Sequence, residues 1–376
     1  MRPRQLLVTV HLWVGMAAAP FLLILGLTGA LLAFENQIQD AFNARLALVA
    51  PAGTPISFAD LEQRLVAAHT GYRVAAVDFP RDARHAYAIG LTPVSDTGDD
   101  LQYFVDPYTA RILGTPAEER GPMPLIHQFH TRLLAGHTGN LIVGWAGVVL
   151  AFLSLSGLIL WWPAKIFRVD WSGSAKRITF DLHNALGAYA WVFLFLFAMT
   201  GIVIHWNGLA AGPEGQGGAG AAGAVVVPRS PTGGLSSLPP LPPSPPPCEL
   251  AARLPFDQVV ARGAQALPGA TVVLAQEIDS RLGTAMVALR YPEDHTPAGR
   301  SRVQINECTG GILSKQDTRA QPARFVYARM TNRSVHTGDI FGWPTRILAA
   351  LMSLSLPLMA VTGPLIWWTR RRAARC

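Results

Sequence analysis

His11-Leu-Trp-Val-Gly15, followed along the same apolar run by Thr28-Gly29, decides how this chain is read, because the pattern returns as His183-Asn-Ala-Leu-Gly187 followed by Thr200-Gly201. Both runs are long and uncharged, and each carries its histidine near the same end. Two further runs match each other in turn. His137-Thr-Gly-Asn-Leu-Ile-Val-Gly-Trp145 leads into a run closing on Ser156-Gly-Leu-Ile-Leu-Trp-Trp162. His336-Thr-Gly-Asp-Ile-Phe-Gly-Trp343 leads into one closing on Thr362-Gly-Pro-Leu-Ile-Trp-Trp368. Ionisable side chains are costly in lipid, so histidines repeated at matching depths point to ligands.

Composition agrees with a membrane setting. Of 376 residues, 50% are hydrophobic and only 15% charged, and the mean hydropathy is positive; this excludes an ordinary soluble enzyme. No Asp, Glu, Lys or Arg interrupts Leu6 to Phe34, Leu141 to Pro163, Leu186 to Trp206 or Ile347 to Thr369. Each run reaches the roughly 20 residues that cross a bilayer as a helix, and in lipid only helices and closed barrels satisfy their own backbone. Four spanning helices are therefore expected. The first run is longer than the about 7–15 apolar residues of a signal peptide, so it reads as a retained helix.

Orientation follows from the basic residues. Arg2, Arg4, Lys165, Arg168, Lys176, Arg177, Arg370, Arg371, Arg372 and Arg375 all fall on the side that holds both termini in a four-span topology. The positive-inside rule makes that side cytoplasmic. The net charge of +7 comes largely from these anchors, which favours contact with anionic lipid over nucleic acid. Trp161, Trp162, Trp367 and Trp368 sit where an interfacial aromatic belt belongs.

The chain then divides into a first span (1–35), an outer α+β domain (36–138), a second span (139–163), a cytoplasmic loop (164–180) and a third span (181–206). A low-complexity linker (207–248), a second outer α+β domain (249–338), a fourth span (339–369) and a short tail (370–376) complete it. In the first outer segment Ser57 reads as a cap for a helix with apolar Phe58, Leu61, Leu65 and Val66. Strands are expected at Tyr72 to Phe79, Ala86 to Leu91 and Gln102 to Val105, with a turn at Asp106-Pro-Tyr-Thr109. The second segment repeats this more weakly, with a helix at Pro255 to Arg262, strands at Thr271 to Leu274, Ala285 to Tyr291 and Arg302 to Ile305, and a turn at Asn306 to Gly311. Gly/Ala-rich and then Pro-rich sequence between Ala210 and Pro247 cannot build a core and reads as a linker. Cys248 and Cys308 both lie outside, where an oxidising compartment permits a disulfide that the sequence alone leaves open.

His183 and His205 are separated by about 33 Å along one helix at about 1.5 Å per residue, so they cannot serve one site. His11 and His183 belong together, and Gly15 and Gly187, one turn on, remove bulk beside the imidazoles. That arrangement suits bis-histidine haem b. On the other side His127, His130, His137, His205 and His336 are the candidates for a second haem. Zinc would need three or four close ligands, and a metal-transport path would need acidic residues within the spans.

These residues resemble the PepSY-associated transmembrane family, also called iron-regulated membrane proteins, which includes di-haem ferrisiderophore reductases. The resemblance rests on His11-Leu-Trp-Val-Gly15 with Gly26-Leu-Thr-Gly29, on Val105-Asp-Pro-Tyr-Thr109 closing a PepSY-like module, and on Phe129-His130-Thr-Arg-Leu-Leu-Ala-Gly136. Leu182-His183 with Gly187 and Val335-His336-Thr-Gly338 with Phe341-Gly342 complete it. It implies a membrane protein of four transmembrane α-helices in two pseudo-repeats with two small periplasmic α+β (PepSY-like) domains, in the bacterial inner membrane. It further implies two haem b groups, held by His11 and His183 on the inner side and by His130 and His336 on the outer. Internal repetition instead pairs His137 with His336, so His137 stands as the substitute for His130. The implied activity is transmembrane electron transfer from a quinol or cytoplasmic reductase to a ferric siderophore or other ferric chelate, with Arg132 beside the outer site as a partner for a propionate or an anionic chelate. The alternative is a membrane-anchored PepSY module that binds or restrains a periplasmic partner without redox chemistry.

Overall fold

The computed structural model describes residues 2–95, 98–116, 119, 121–210, 248–249, 252–295, 299–322 and 331–373. Of the expected linker at 207–248, residues 211–247 lie outside them, and 207–210 belong to a helix. In chain order the elements are α1 (Pro3–Leu32), α2 (Glu35–Phe42), α3 (Ala44–Ala47), α4 (Phe58–Ala68), β1 (Tyr72–Asp78), β2 (Tyr87–Pro93), β3 (Leu101–Val105) and β4 (Ile112–Gly114), then α5 (Met123–Arg132), α6 (Gly136–Trp161) and α7 (Ala175–Ala210). There follow α8 (Phe256–Ala266), β5 (Thr271–Asp279), β6 (Thr284–Arg290), β7 (Ser301–Asn306), β8 (Ile312–Gln316), α9 (Asn332–Thr337) and α10 (Trp343–Ala373). They form two compact units: one from the described residues within 1–38, 122–218 and 327–376, the other from those within 39–121 and 219–326.

The first unit is the helical one. Among the described residues, four helices are long and apolar enough to cross a membrane: α1, α6, α7 over Ala175–Trp206, and α10 over Trp343–Arg371. Their outward apolar side chains stay uncovered, with Trp145 59%, Ile159 61% and Leu351 56% exposed, as lipid-facing positions require. The helix α7 starts well before the uncharged run at Leu186 and carries Lys176, Arg177 and Asp181 in its first turns. Small residues set the closest approaches. A Cβ at Gly26 would stand 2.6 Å from Pro357 Cδ and 2.9 Å from the Ser353 carbonyl oxygen, and Ser353 Oγ donates to the Gly26 carbonyl at 3.0 Å. Midway along the bundle Ala18, Leu22, Leu150, Ala190, Leu194, Ala198 and Leu356 form a buried apolar layer.

The second unit is built on an antiparallel sheet of order β4-β3-β2-β1-β5-β6-β7-β8. The two outer α+β segments are thus halves of one sheet, joined where β1 pairs with β5 through Ala76 opposite Gln276, Val77 opposite Ala275 and Asp78 opposite Leu274. Apolar alternation supplies one buried face: Val74, Val77, Ile89, Leu91, Ala275, Val287, Leu289, Val303 and Ile305 pack with Leu61 and Leu65 of α4 and Val259 and Val260 of α8. Ser57 caps α4 as the sequence indicates, its Oγ accepting from the Asp60 amide at 3.2 Å. The other helix has no such cap of its own. Its first amides, Phe256 and Asp257, donate to the Glu62 carboxylate of α4 at 2.9 and 2.6 Å. Burial pushes the Glu62 carboxyl up from its ordinary range while those two amides pull it down. Arg73 pairs with Glu277, and Arg253 donates to Glu277 and Glu307 at 2.9 Å each, so buried charge also ties the halves.

The structure adds to the sequence reading. The helices α5 and α9, which fall within 36–138 and 249–338, group with the spanning helices. An edge strand, β8, follows the second turn; its side chains are mostly exposed and polar, which left no alternating pattern to read. Cys248 and Cys308 are bonded, with Cα atoms 5.9 Å apart.

Candidate functional site

Four histidines of the helical unit make the same contact. The His11 ring, on α1, has Nδ1 2.8 Å from Ser156 Oγ on α6, and His183 on α7 has Nδ1 2.9 Å from Thr362 Oγ1 on α10. His130 on α5 reaches Thr28 Oγ1 of α1 at 2.9 Å, and His336 on α9 reaches Thr200 Oγ1 of α7 at 2.9 Å. Each hydroxyl is already committed as a donor to the carbonyl one turn back: Thr28 to Ile24 at 2.7 Å, Ser156 to Phe152 at 2.7 Å, Thr200 to Leu196 at 2.6 Å and Thr362 to Leu358 at 2.8 Å. A hydroxyl has one proton to give. In all four contacts the imidazole therefore donates from Nδ1, and in the neutral ring that leaves the lone pair on Nε2. Bracing one ring nitrogen so that the other can bind a metal is the usual second-layer arrangement of histidine ligands.

The residue after each hydroxyl is glycine, and it lies against the ring it holds. A Cβ at Gly29 would stand 3.2 Å from His130 Cε1, at Gly201 3.2 Å from His336 Cε1, at Gly157 3.4 Å from His11 Cε1 and at Gly363 3.5 Å from His183 Cε1. The pairs Thr28-Gly29, Ser156-Gly157, Thr200-Gly201 and Thr362-Gly363 are thus four copies of one imidazole seat. Their repetition is visible in the sequence, but which ring each one serves depends on helix packing. Gly15 and Gly187, expected beside the imidazoles, are not the glycines that touch them. The nearest atom to a Cβ at Gly15 would be Leu153 Cδ2 at 3.8 Å, and at Gly187 Met359 Sδ at 4.0 Å, ordinary contact distances with a neighbouring helix and not with the histidine one turn back.

The four seats lie at two levels. His11 and His183 fall within electrostatic reach of each other. At the other level the His130 and His336 ring centres are 6.3 Å apart. One metal bound by both rings at about 2 Å per bond would set their centres about 6 Å apart. From His11 to Thr28 along α1 is about 25 Å at about 1.5 Å per residue, and the buried apolar layer occupies the interval. Phe197 reaches out of it edge-on to His336, with ring centres 6.1 Å apart.

His137 is exposed in the first turn of α6, and His130 holds the place facing His336. Matching His137-Thr-Gly139 with His336-Thr-Gly338 misleads, because the first triplet begins a span whereas the second closes the short helix α9. The register that lays Ser156-Gly157 on Thr362-Gly363 also lays His130 on His336 and His137 on Trp343. His205 is elsewhere, packed against Trp206 at 5.1 Å between ring centres and against Gly144. Around the His130 and His336 level lie His127, Arg132 and Arg333. Burial lowers the His127 pKa, and the positive charges of Arg333 and Arg132 lower it further. The Arg333 guanidinium is itself depressed by burial against the opposing pull of Glu35 and Asp339. Among the described residues no group of three or more His, Cys, Asp or Glu forms a metal cluster, so the paired imidazoles are the candidate ligands.

No curated protein matches this chain. A family model described as a PepSY-associated TM region matches residues 8–370.

Proposed function

Because the chain belongs to the PepSY-associated transmembrane family, a family of membrane proteins, we propose that its four braced histidines hold two haem b groups and that the protein carries electrons across a bacterial inner membrane to a ferric siderophore or other ferric chelate. The observation that carries this reading is the fourfold contact of Nδ1 with a hydroxyl already spent on its own helix. His11 and His183 would hold one group; His130 and His336 the other. Haem supplies reversible one-electron chemistry that no side chain here provides. The residues do the rest. Ser156, Thr362, Thr28 and Thr200 keep the ring tautomers and orientations ready for ligation, which raises ligand basicity. Gly157, Gly363, Gly29 and Gly201 admit the rings, and Gly15 and Gly187 add no side-chain bulk one turn beyond His11 and His183, where a flat ligand would lie. Arg333 and Arg132 place positive charge where a carboxylate-bearing ligand or an anionic chelate needs it.

The bias of Lys and Arg supports a cytoplasmic location for both termini, and the disulfide of the sheet unit supports an oxidising, periplasmic location for that unit. A quinol or a cytoplasmic reductase would be the electron donor. The test is a visible spectrum of the detergent-purified protein, oxidised and dithionite-reduced, with a haemochrome count. Wild type should hold about two bis-histidine haems per chain, and His11→Ala, His183→Ala, His130→Ala and His336→Ala should each lose one, while His137→Ala keeps both. A colourless protein that haem cannot reconstitute would return the family's other reading, an anchored PepSY module restraining a partner.

A further inference from the structure

A separate cavity lies at the end of the helical unit that carries His11 and His183. It measures about 230 Å³ and is lined by Ser174, Lys176, Arg177, Phe180, Ile366 and Arg370. Three of the six are cations and none is acidic. Arg177 gives its Nε to Asp181 Oδ2 at 2.7 Å, which offsets one charge from outside the lining, and Arg370 lies over the Phe180 ring at 5.6 Å. The cavity opens where α7 begins and α10 ends, beside the Trp367 and Trp368 belt, so one wall is apolar and the other cationic.

We propose that this cavity binds a phosphate-bearing anion, the phosphodiester of an anionic phospholipid in the adjoining leaflet. Basic pockets between spanning helices are the usual seats of such headgroups. Lys176 and Arg370 meet the phosphate, the Ser174 hydroxyl donates to it, and Phe180 with Ile366 receive the first carbons of the glycerol and acyl chains. The pseudo-repeat sharpens the assignment. In the register that lays His11 on His183 and Trp161 on Trp367, Arg177 corresponds to Gln5 and Arg370 to Ala164. Lys176 corresponds to Arg4 and Ser174 to Arg2, so the first half keeps two cations but no hydroxyl donor and no basic residue on its closing span, and one site is expected rather than two. This inference does not depend on haem.

The test uses the full chain in neutral detergent, titrated with phosphatidylglycerol, phosphatidylcholine or inorganic phosphate and followed by native mass spectrometry. Phosphatidylglycerol should be retained about tenfold more tightly than phosphatidylcholine, and a Lys176→Gln/Arg370→Gln double variant should lose that preference. Arg371→Gln, whose guanidinium sits over Trp367 at 4.5 Å outside the cavity, should keep it. Binding of inorganic phosphate as tight as that of phosphatidylglycerol, lost in the same double variant, would keep the anion site but replace the lipid by a soluble ligand. No preference in wild type, or an equal loss with Arg371→Gln, overturns the proposal.

Discussion

The two halves of this chain fold alike and keep different things. Among the described residues each contributes a histidine-bearing span, four strands with one helix packed on them, a short helix with a second histidine, and a closing span, and the first half adds α2 and α3. What the halves share to within a tenth of an ångström is the contact from imidazole Nδ1 to a hydroxyl, at 2.8 Å once and 2.9 Å three times. What they do not share is how the scaffold is held. The second half alone has a disulfide, and it uses left-handed Gly310 at its turn and left-handed Gly338 to cap α9, whereas the first half uses Ala110 at its turn and Leu133 to cap α5. A contact kept while its surroundings diverge is the one under chemical demand; the turns and crosslinks are interchangeable supports.

The largest test of that distinction is the disulfide. Closing a loop over a sequence separation of 60 restricts the unfolded chain by about 4 kcal/mol in the chain-entropy account. Cys248→Ser in the full protein should therefore cut hydrogen-exchange protection in β5, β6 and β7 by an amount of that order. If β1, β2 and β3 lose as much, the sheet opens as one cooperative unit through the seam between β1 and β5. Loss confined to the second half would show two folding units sharing a sheet.

The next effect bears on the shared contact. Thr28→Val and Thr200→Val remove the acceptor for Nδ1 with little change in shape. Loss of such a partner weakens a metal site by about 10–100-fold, and under the proposed function the two variants should weaken retention of the haem proposed at the His130 and His336 level equally, since each ring carries one brace. Competition with a haem-binding apoprotein measures it. A strong effect from one and none from the other would mean that the halves are not equivalent at this site and that a single histidine does the holding.

Much of this was legible in the sequence, for identifiable reasons. Uninterrupted apolar runs gave all four spans, because charge is nearly forbidden there, and Ser57 with its downstream apolar positions gave α4. The chemistry of Thr-Gly and Ser-Gly was harder. The pairs stand out as repeats, but a hydroxyl bonded to its own backbone looks like packing until a ring from another helix is placed beside it. His137 competes with His130 in the sequence because a local triplet match sets it against His336, whereas the longer register selects His130. Glu62 capping a helix of the other half, and the pairing of β1 with β5, join residues far apart in the chain and leave no local trace.

The smallest effect lies in the paired turns, and it separates the halves most directly. Asp106 Oδ1 accepts from the Tyr108 and Thr109 amides at 2.8 and 3.3 Å, and Asn306 Oδ1 accepts from the Cys308 and Thr309 amides at 3.0 and 2.9 Å. The turns are the same although Asp-Pro-Tyr-Thr has become Asn-Glu-Cys-Thr. Each then needs a left-handed residue, Ala110 at φ 58° and Gly310 at φ 68°. A side chain in that region costs roughly 1–2 kcal/mol, partly offset by the extra chain entropy that glycine loses on folding, roughly 0.5–1 kcal/mol. Ala110→Gly should thus raise the denaturant midpoint slightly, by less than about 1 kcal/mol in stability. The reverse change is not symmetrical. A Cβ at Gly310 would stand 2.5 Å from Arg262 Cζ, so Gly310→Ala should lower the midpoint by more than the backbone term alone. Equal and opposite shifts would show that the Arg262 side chain moves aside freely, leaving backbone geometry as the whole difference between the two turns.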